Sequence, residues 1–191
     1  MYEMTEEKEF NKSLGLIVHF GLYSIPAFDD IKSASKRKII NGSEWYKMRL
    51  EEDPKAYRPT SGAKATKEYH QKHYPDMVYD DFRKLFKPNL KNVDTWTKLA
   101  KDIGASYIIL TARHHDGFCL WPSEVGSHSK KDIVQAFKKS CEREGLTFGL
   151  YYSWGEFGKS CTKEYLNEVV KPQIEELIKY KPQIWWFDGH W

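Results

Sequence analysis

Tyr107-Ile108-Ile109-Leu110-Thr111-Ala112-Arg113-His114-His115-Asp116-Gly117 is the stretch on which the fold turns. Its apolar part, Tyr107 to Thr111, is too short for a buried helix and rich in β-branched residues, so it reads as a strand. Its continuation, Arg113 to Asp116, is polar and chemically loaded, which places reactive side chains at the strand's carboxyl end. Three other runs have the same form: Leu14 to Phe20, ending at His19; Thr147 to Tyr152, followed by Ser153-Trp154; and Ile184 to Phe187, followed by Asp188-Gly189-His190. Between these four runs lie helical patterns. Trp96, Leu99, Ala100 and Ile103 follow an expected N-cap at Asp94, and Ile133, Ala136, Phe137 and Cys141 follow Asp132. Tyr165 to Ile178 carries a third, which Pro172 should kink or divide, and Gly104 and Gly145 mark helix ends.

Strand, helix and strand in alternation predict parallel β/α units. In such folds ligands bind where the carboxyl ends of the strands converge. The alternation of side chains puts Phe148, Leu150 and Tyr152 on one face of the third strand and Gly149, Tyr151 and Ser153 on the other. If the apolar set faces the helices, Tyr151 points to the site, and His19 and Asp188 can do the same. By the same alternation His114 and His115 point to opposite sides of their strand, which leaves one of them free to pack or to bond Asp116. A long excursion from Gly21 to Val93, with helical pieces around Glu44 to Arg49, Ala63 to Lys72 and Asp80 to Phe86, is the kind of insertion that helps to build a site.

Composition bounds the function. The 191 residues carry a net charge of +3, and the basic runs Lys36-Arg37-Lys38 and Lys130-Lys131 are short and isolated, so each reads as a solvated face and nucleic-acid binding is not favoured. No run approaches the ~18 apolar residues of a membrane span. The start is acidic, with no visible signal peptide, so the expected location is intracellular. Three scattered cysteines support neither a disulfide framework nor a zinc finger. Ten Phe, seven Trp and twelve Tyr in a chain of mean hydropathy −0.69 suggest an aromatic-lined cleft suited to a sugar or a planar ligand.

Taken together, Gly-Leu-Ile-Val-His-Phe-Gly-Leu-Tyr-Ser-Ile-Pro-Ala (15–27), Glu44-Trp45-Tyr46, the run 100–123 with His-His-Asp-Gly-Phe-Cys-Leu-Trp-Pro-Ser, Phe-Gly-Leu-Tyr-Tyr-Ser (148–153) and Trp-Trp-Phe-Asp-Gly (185–189) closely resemble the catalytic domain of the α-L-fucosidases of glycoside hydrolase family 29. The resemblance implies an α/β, (β/α)8 TIM-barrel-like fold and retaining hydrolysis of terminal α-L-fucose from glycans. A complete barrel takes ~250 residues, so residues 1–191 are expected to be a single partial catalytic domain holding strands one to four. Carried over by position, the resemblance makes Asp188 the nucleophile, and His19, Glu44, Trp45, His114, His115 and Tyr151 the lining of the fucose pocket. It implies no cofactor and no metal; a metal on His114, His115 and Asp116 with His19 or His190 is the weaker alternative.

Each residue also has an ordinary role available. Asp before Gly is a turn residue, Glu44 after Ser43 suits a helix start, and Trp45 and Tyr151 can be core, as Trp121, Trp185 and Trp186 are expected to be. A retaining glycosidase needs a second carboxyl as acid/base, and the family's comes from beyond the nucleophile. Glu44 is the leading substitute here and Glu156 the second. The absence of a clear second carboxyl keeps open a catalytically silent fucose-binding protein. Open edges on strands one and four predict self-association or a second chain that completes the barrel.

Overall fold

The computed structural model describes residues 14–30, 42–52 and 62–189. His190 and the run Lys36-Arg37-Lys38 lie outside them. Four strands, β1 (Leu14–Val18), β2 (Ala105–Arg113), β3 (Thr147–Ser153) and β4 (Ile184–Asp188), form one parallel sheet in the order β1-β2-β3-β4. The helices are α1 (Tyr46–Glu51), α2 (Ala63–His73), α3 (Phe82–Leu85), α4 (Lys91–Asp102), α5 (Ile133–Glu144), the single turn α6 (Lys163–Tyr165) and α7 (Lys171–Ile178). This is the order of successive β/α units with an insertion after β1. Among the described residues no helix is long and apolar enough to cross a membrane.

One face of the sheet is covered. Ile108, Leu110, Ala112, Phe148, Leu150 and Tyr152 are buried with Val93 and Ala100 of α4, with Ile133, Val134, Phe137 and Cys141 of α5, and with Leu177 of α7. Fully buried aliphatic side chains each contribute about 1.5–3 kcal/mol, so this face anchors the fold. Paired residues of parallel strands share a face. The other face is therefore Ile17 and His19, then Ile109 and Thr111, then Gly149, Tyr151 and Ser153, then Ile184, Trp186 and Asp188. Gly149 is required there, because a Cβ would lie 2.7 Å from Ile109 Cγ1 and 3.1 Å from Ile184 Cβ.

Several expectations are corrected. Asp94 does not cap α4, which begins three residues earlier; its carboxylate instead bonds Ser140 Oγ at 2.7 Å and pairs with Arg143, tying α4 to α5. Asp132 does cap α5, accepting from the Gln135 N–H at 2.8 Å. Pro172 lies in the first turn of α7 after a π-helical turn, Leu166–Val170, so the third helical pattern is divided. Trp121 and half-buried Trp185 belong to the core, but Trp186 is 49% exposed on the uncovered face.

The largest departure is at β2. Its register against β3 slips between Thr111 and Arg113, so Arg113 pairs with Tyr152 and not with the residue plain alternation assigns. A bulge puts both Ala112 and Arg113 on the covered face. The Arg113 guanidinium lies 5.4 Å from the Tyr152 ring centroid, and alternation restarts one residue out of phase. His114 therefore faces inward. The turn closed by the Gly117 N–H on the His114 carbonyl, at 3.0 Å with Gly117 at φ +80°, brings His115 back to the same side. The two rings lie 4.2 Å apart, and the expectation of opposite faces fails for this reason.

Candidate active site

At the carboxyl ends of the strands, one carboxylate stands at the centre of a ring of histidines and aromatics. Asp188 Oδ2 accepts the Tyr151 O–H at 2.7 Å and lies 3.6 Å from His115 Nε2, while Oδ1 accepts the Gly189 N–H at 2.7 Å. The Asp188 side chain is 40% exposed, so it is oriented and yet open to a ligand. The Ser153 hydroxyl donates to the Gly155 carbonyl at 2.6 Å, and with its one proton used it accepts from His115 Nδ1 at 2.6 Å. That fixes the tautomer: Nδ1 carries the proton and Nε2 presents its lone pair toward Tyr151 and Asp188.

Burial first, then His115, His19 and Arg113, push His114 down to about 2. Burial also brings His115 down to about 4 despite the opposing pull of Asp188. His19 is lowered by partial burial, against the raising influence of Glu44 and then Asp188. All three imidazoles are accordingly neutral at pH 7. They serve as hydrogen-bonding groups there, with no fixed positive charge. Tyr151 is raised well above the usual phenol range, by burial and by donating to Asp188, so it remains a donor.

The remaining residues come together around this centre. His19, exposed, has its ring 5.3 Å from His114 and 5.9 Å from Tyr151, and His114 stacks on Tyr151 at 5.6 Å and 13°. His114 is 4% exposed, and its Nδ1 has no hydrogen-bond partner among the described residues. Trp45 closes one side, 5.9 Å from His115 and 5.3 Å from Phe157. Glu44, on the short 3-10 turn Ser43–Trp45, accepts from Gly42 N–H at 3.2 Å, and its charge acts on His19, Tyr23 and Tyr151. The site residues named from sequence thus surround one space.

Glu156 stands apart from them. Its carboxylate lies 2.9 Å from Arg113 Nη2, 2.7 Å from Lys159 Nζ and 3.7 Å from Lys47 Nζ, with the Tyr165 hydroxyl at 3.3 Å. Engaged by three cations and a hydroxyl, this carboxylate is committed to its own network, which removes it from the role of second acid/base. Asp116 likewise turns away from the histidines. It accepts the buried Tyr79 hydroxyl at 2.7 Å and the Phe118 N–H at 3.2 Å. Among the described residues no group of three His, Cys, Asp or Glu is placed to hold a metal ion.

Two positioning residues escape a reading from sequence. Thr111 Oγ1 accepts from the Phe20 N–H at 3.1 Å and lies 3.3 Å from the buried Tyr23 hydroxyl, so it sets the turn that carries His19. Arg113 donates to the Ser153 carbonyl at 2.7 Å and fixes the end of β3. Alternating polarity gave no hint of either. The one available signal was that Thr and Arg flank the bulged Ala112 at the end of an apolar run.

Known proteins resemble this chain in sequence and in fold. The chain is 33% identical over 93% of its length to the alpha-L-fucosidase of Dictyostelium discoideum, and 30% identical over 92% to human plasma alpha-L-fucosidase. It covers 40% and 37% of those proteins. Among solved structures, Thermotoga maritima alpha-fucosidase in complex with fucose superposes with a TM-score of 0.70 at 31% identity, over 93% of this chain and 45% of that one. The family described as Alpha-L-fucosidase matches residues 3–191. With a family match over nearly its whole length, the chain belongs to the alpha-L-fucosidase family.

Proposed function

We propose that this chain carries the nucleophile and the sugar-binding wall of a retaining α-L-fucosidase acting on terminal α-L-fucose of glycans. One observation carries the reading: Asp188, at the end of β4, is oriented by the Tyr151 hydroxyl at 2.7 Å yet open to a ligand between His115, His19 and Trp45. An Asp188 oxygen attacks the anomeric carbon of fucose, the bond to the glycosidic oxygen breaks, and a glycosyl ester forms that water later hydrolyses. Tyr151 and the Gly189 N–H hold the carboxylate in line. Neutral His19, His114 and His115 exchange hydrogen bonds with sugar hydroxyls. Trp45 covers an apolar face or the C6 methyl.

Glu44 takes the acid/base role in this reading, since its charge already reaches the pocket. The commitment of Glu156 to Arg113, Lys47 and Lys159 favours a second reading, in which the chain binds fucose without turning it over. Further strands from a second copy or a second chain would complete the site. The exposed Ile17 and Trp186 on the uncovered face support this, as do β1 and β4, each pairing on one side only among the described residues.

A 2-deoxy-2-fluoro-fucosyl fluoride separates the readings. Covalent labelling mapped by mass spectrometry to the peptide holding Asp188, and lost in Asp188→Asn, is the expected result. Saturable L-fucose binding without label supports the binding reading, and neither label nor binding sinks both.

A further inference from the structure

The runs that look isolated in sequence are not isolated in space. Lys130 and Lys131, at the end of the loop from β2 to α5, share a cleft of about 710 Å³ with Arg83, Lys84 and Lys87 of the inserted segment. Asp80 is the one acid in its wall, so the lining is strongly positive. Some of this charge is already engaged. Lys84 pairs with Asp81 at 2.6 Å, Lys131 donates to the Pro88 carbonyl at 2.9 Å, and Arg83 Nε donates to the Asp80 carbonyl at 3.1 Å. Lys87 and Lys130 have no acceptor among the described residues. Ser129, buried in the same wall, accepts from the Lys131 N–H at 3.1 Å and has no acceptor there for its own proton.

Cations gathered in a cleft focus a positive potential and raise the local concentration of anions. A bare sulfate or phosphate would fill little of this volume, which lies within the range of small-molecule sites. Part of the lining is aromatic: Phe86 and Phe118 meet edge to face at 5.1 Å. Cations and aromatic rings lining one cleft match a ligand with an apolar ring face and an anionic substituent.

We propose that this cleft is a second binding site, for a sugar ring bearing a sulfate ester or a carboxylate. The choice of a sugar over another ring-bearing anion rests on the fucosidase reading; the anion site does not. The cleft and the fucose pocket are walled by one loop, with His114 and His115 at its start and Phe118, Ser129, Lys130 and Lys131 further along.

Calorimetric titration of the 191-residue chain tests this with galactose 6-sulfate, galactose, inorganic sulfate and a single-stranded oligonucleotide. Galactose 6-sulfate is expected to bind at least about tenfold more tightly than galactose or inorganic sulfate, and Lys87→Glu/Lys130→Glu to lose at least about tenfold of that affinity. L-Fucose affinity should be the same in the variant as in the parent. Sulfated-sugar binding by a chain that binds no fucose supports the cleft while removing the fucosidase reading. Equal affinity for the neutral sugar, unchanged affinity in the variant, displacement by L-fucose, or a preference for the oligonucleotide overturns the proposal.

Discussion

Lowering the pH from 7 to 5 should destabilise the native chain more than it destabilises His114→Gln. His114 is nearly inaccessible, is packed between the rings of His19, His115, Tyr23 and Tyr151, and is pushed down to about 2 mainly by burial. In the unfolded chain the same imidazole titrates near ~6.5. Between those values the unfolded state binds a proton that the folded state refuses. Stability is therefore full above the unfolded value and falls as the pH drops through it. From pH 7 to pH 5 the folded imidazole stays neutral throughout, so the loss depends almost wholly on the unfolded titration. It amounts to about 1.9 kcal/mol for this one residue.

Other groups titrate in this window, which is why the comparison between variants matters. His115, lowered to about 4, contributes a loss of the same sign. Buried Asp116, raised mainly by desolvation, works in the opposite sense because the folded state holds its proton more tightly. Both remain in His114→Gln, so their effects cancel in the difference. Urea unfolding followed by tryptophan fluorescence at pH 7, 6 and 5 gives the measurement. The shift in midpoint between pH 7 and 5 should be smaller in the variant by about 1 M, taking an ordinary denaturant slope of ~2 kcal/mol/M. Parallel profiles for parent and variant would refute the reasoning, because they would mean that His114 takes up its proton in the folded state as readily as in the unfolded chain.

Tyr151→Phe keeps the ring stacked on His114 but removes the 2.7 Å bond to Asp188; the rate of labelling at Asp188 should fall by about tenfold to a hundredfold, as for a lost bond to a charged acceptor, and an unaltered rate would contradict the orienting role. Glu156→Gln leaves Arg113 buried and poorly matched, at a cost of about 3–5 kcal/mol, which a thermal melt should record as a fall of roughly 10 °C; a change of a degree or two would show the network to be dispensable. Gly117→Ala puts a Cβ 2.5 Å from the Glu156 carboxyl carbon at a φ of +80°, so a loss of more than about 1 kcal/mol is expected, and an alanine variant with the parent's melting temperature would exclude that crowding.

The strands are legible because their covered face is held by a regular apolar alternation, and the pattern of Phe148, Leu150 and Tyr152 assigns Tyr151 its side. What alternation cannot express is a change of phase. The bulge at Ala112 leaves no mark in the order of apolar and polar residues, so the placement of His114 and His115 on one side depends on pairing to β3. The burial of Trp186 is misjudged for a related reason: an aromatic in an apolar run looks like core, but only one face of this sheet is covered by its helices. The basic cleft was illegible because Arg83 to Lys87 and Lys130-Lys131 are more than forty residues apart, and charge clustering between segments is a property of packing.

The histidine pocket is held in shape by polar contacts from outside it. Arg113 takes the Ser153 carbonyl and Glu156, and Lys47 donates to the Asp116 carbonyl at 3.1 Å, while the Phe157 N–H closes on the His115 carbonyl at 2.8 Å. Further along the loop, Glu176 of α7 receives Trp121 Nε1 and Ser123 Oγ, each at 2.6 Å, and the Glu124 N–H at 3.0 Å. Gln173 of the same helix donates to the Val125 carbonyl at 2.8 Å and accepts the Tyr152 hydroxyl at 2.7 Å. A purely apolar wall could slide with small loss, whereas these directional bonds fix where the loop lies. Buried polar groups of this kind are costly unless fully paired, so such a framework is a poor device for stability alone. Its value is preorganisation: with the loop already ordered, a bound sugar does not have to order it. Substitution of Gln173 or Glu176, which touch neither site, should therefore weaken ligand binding at both.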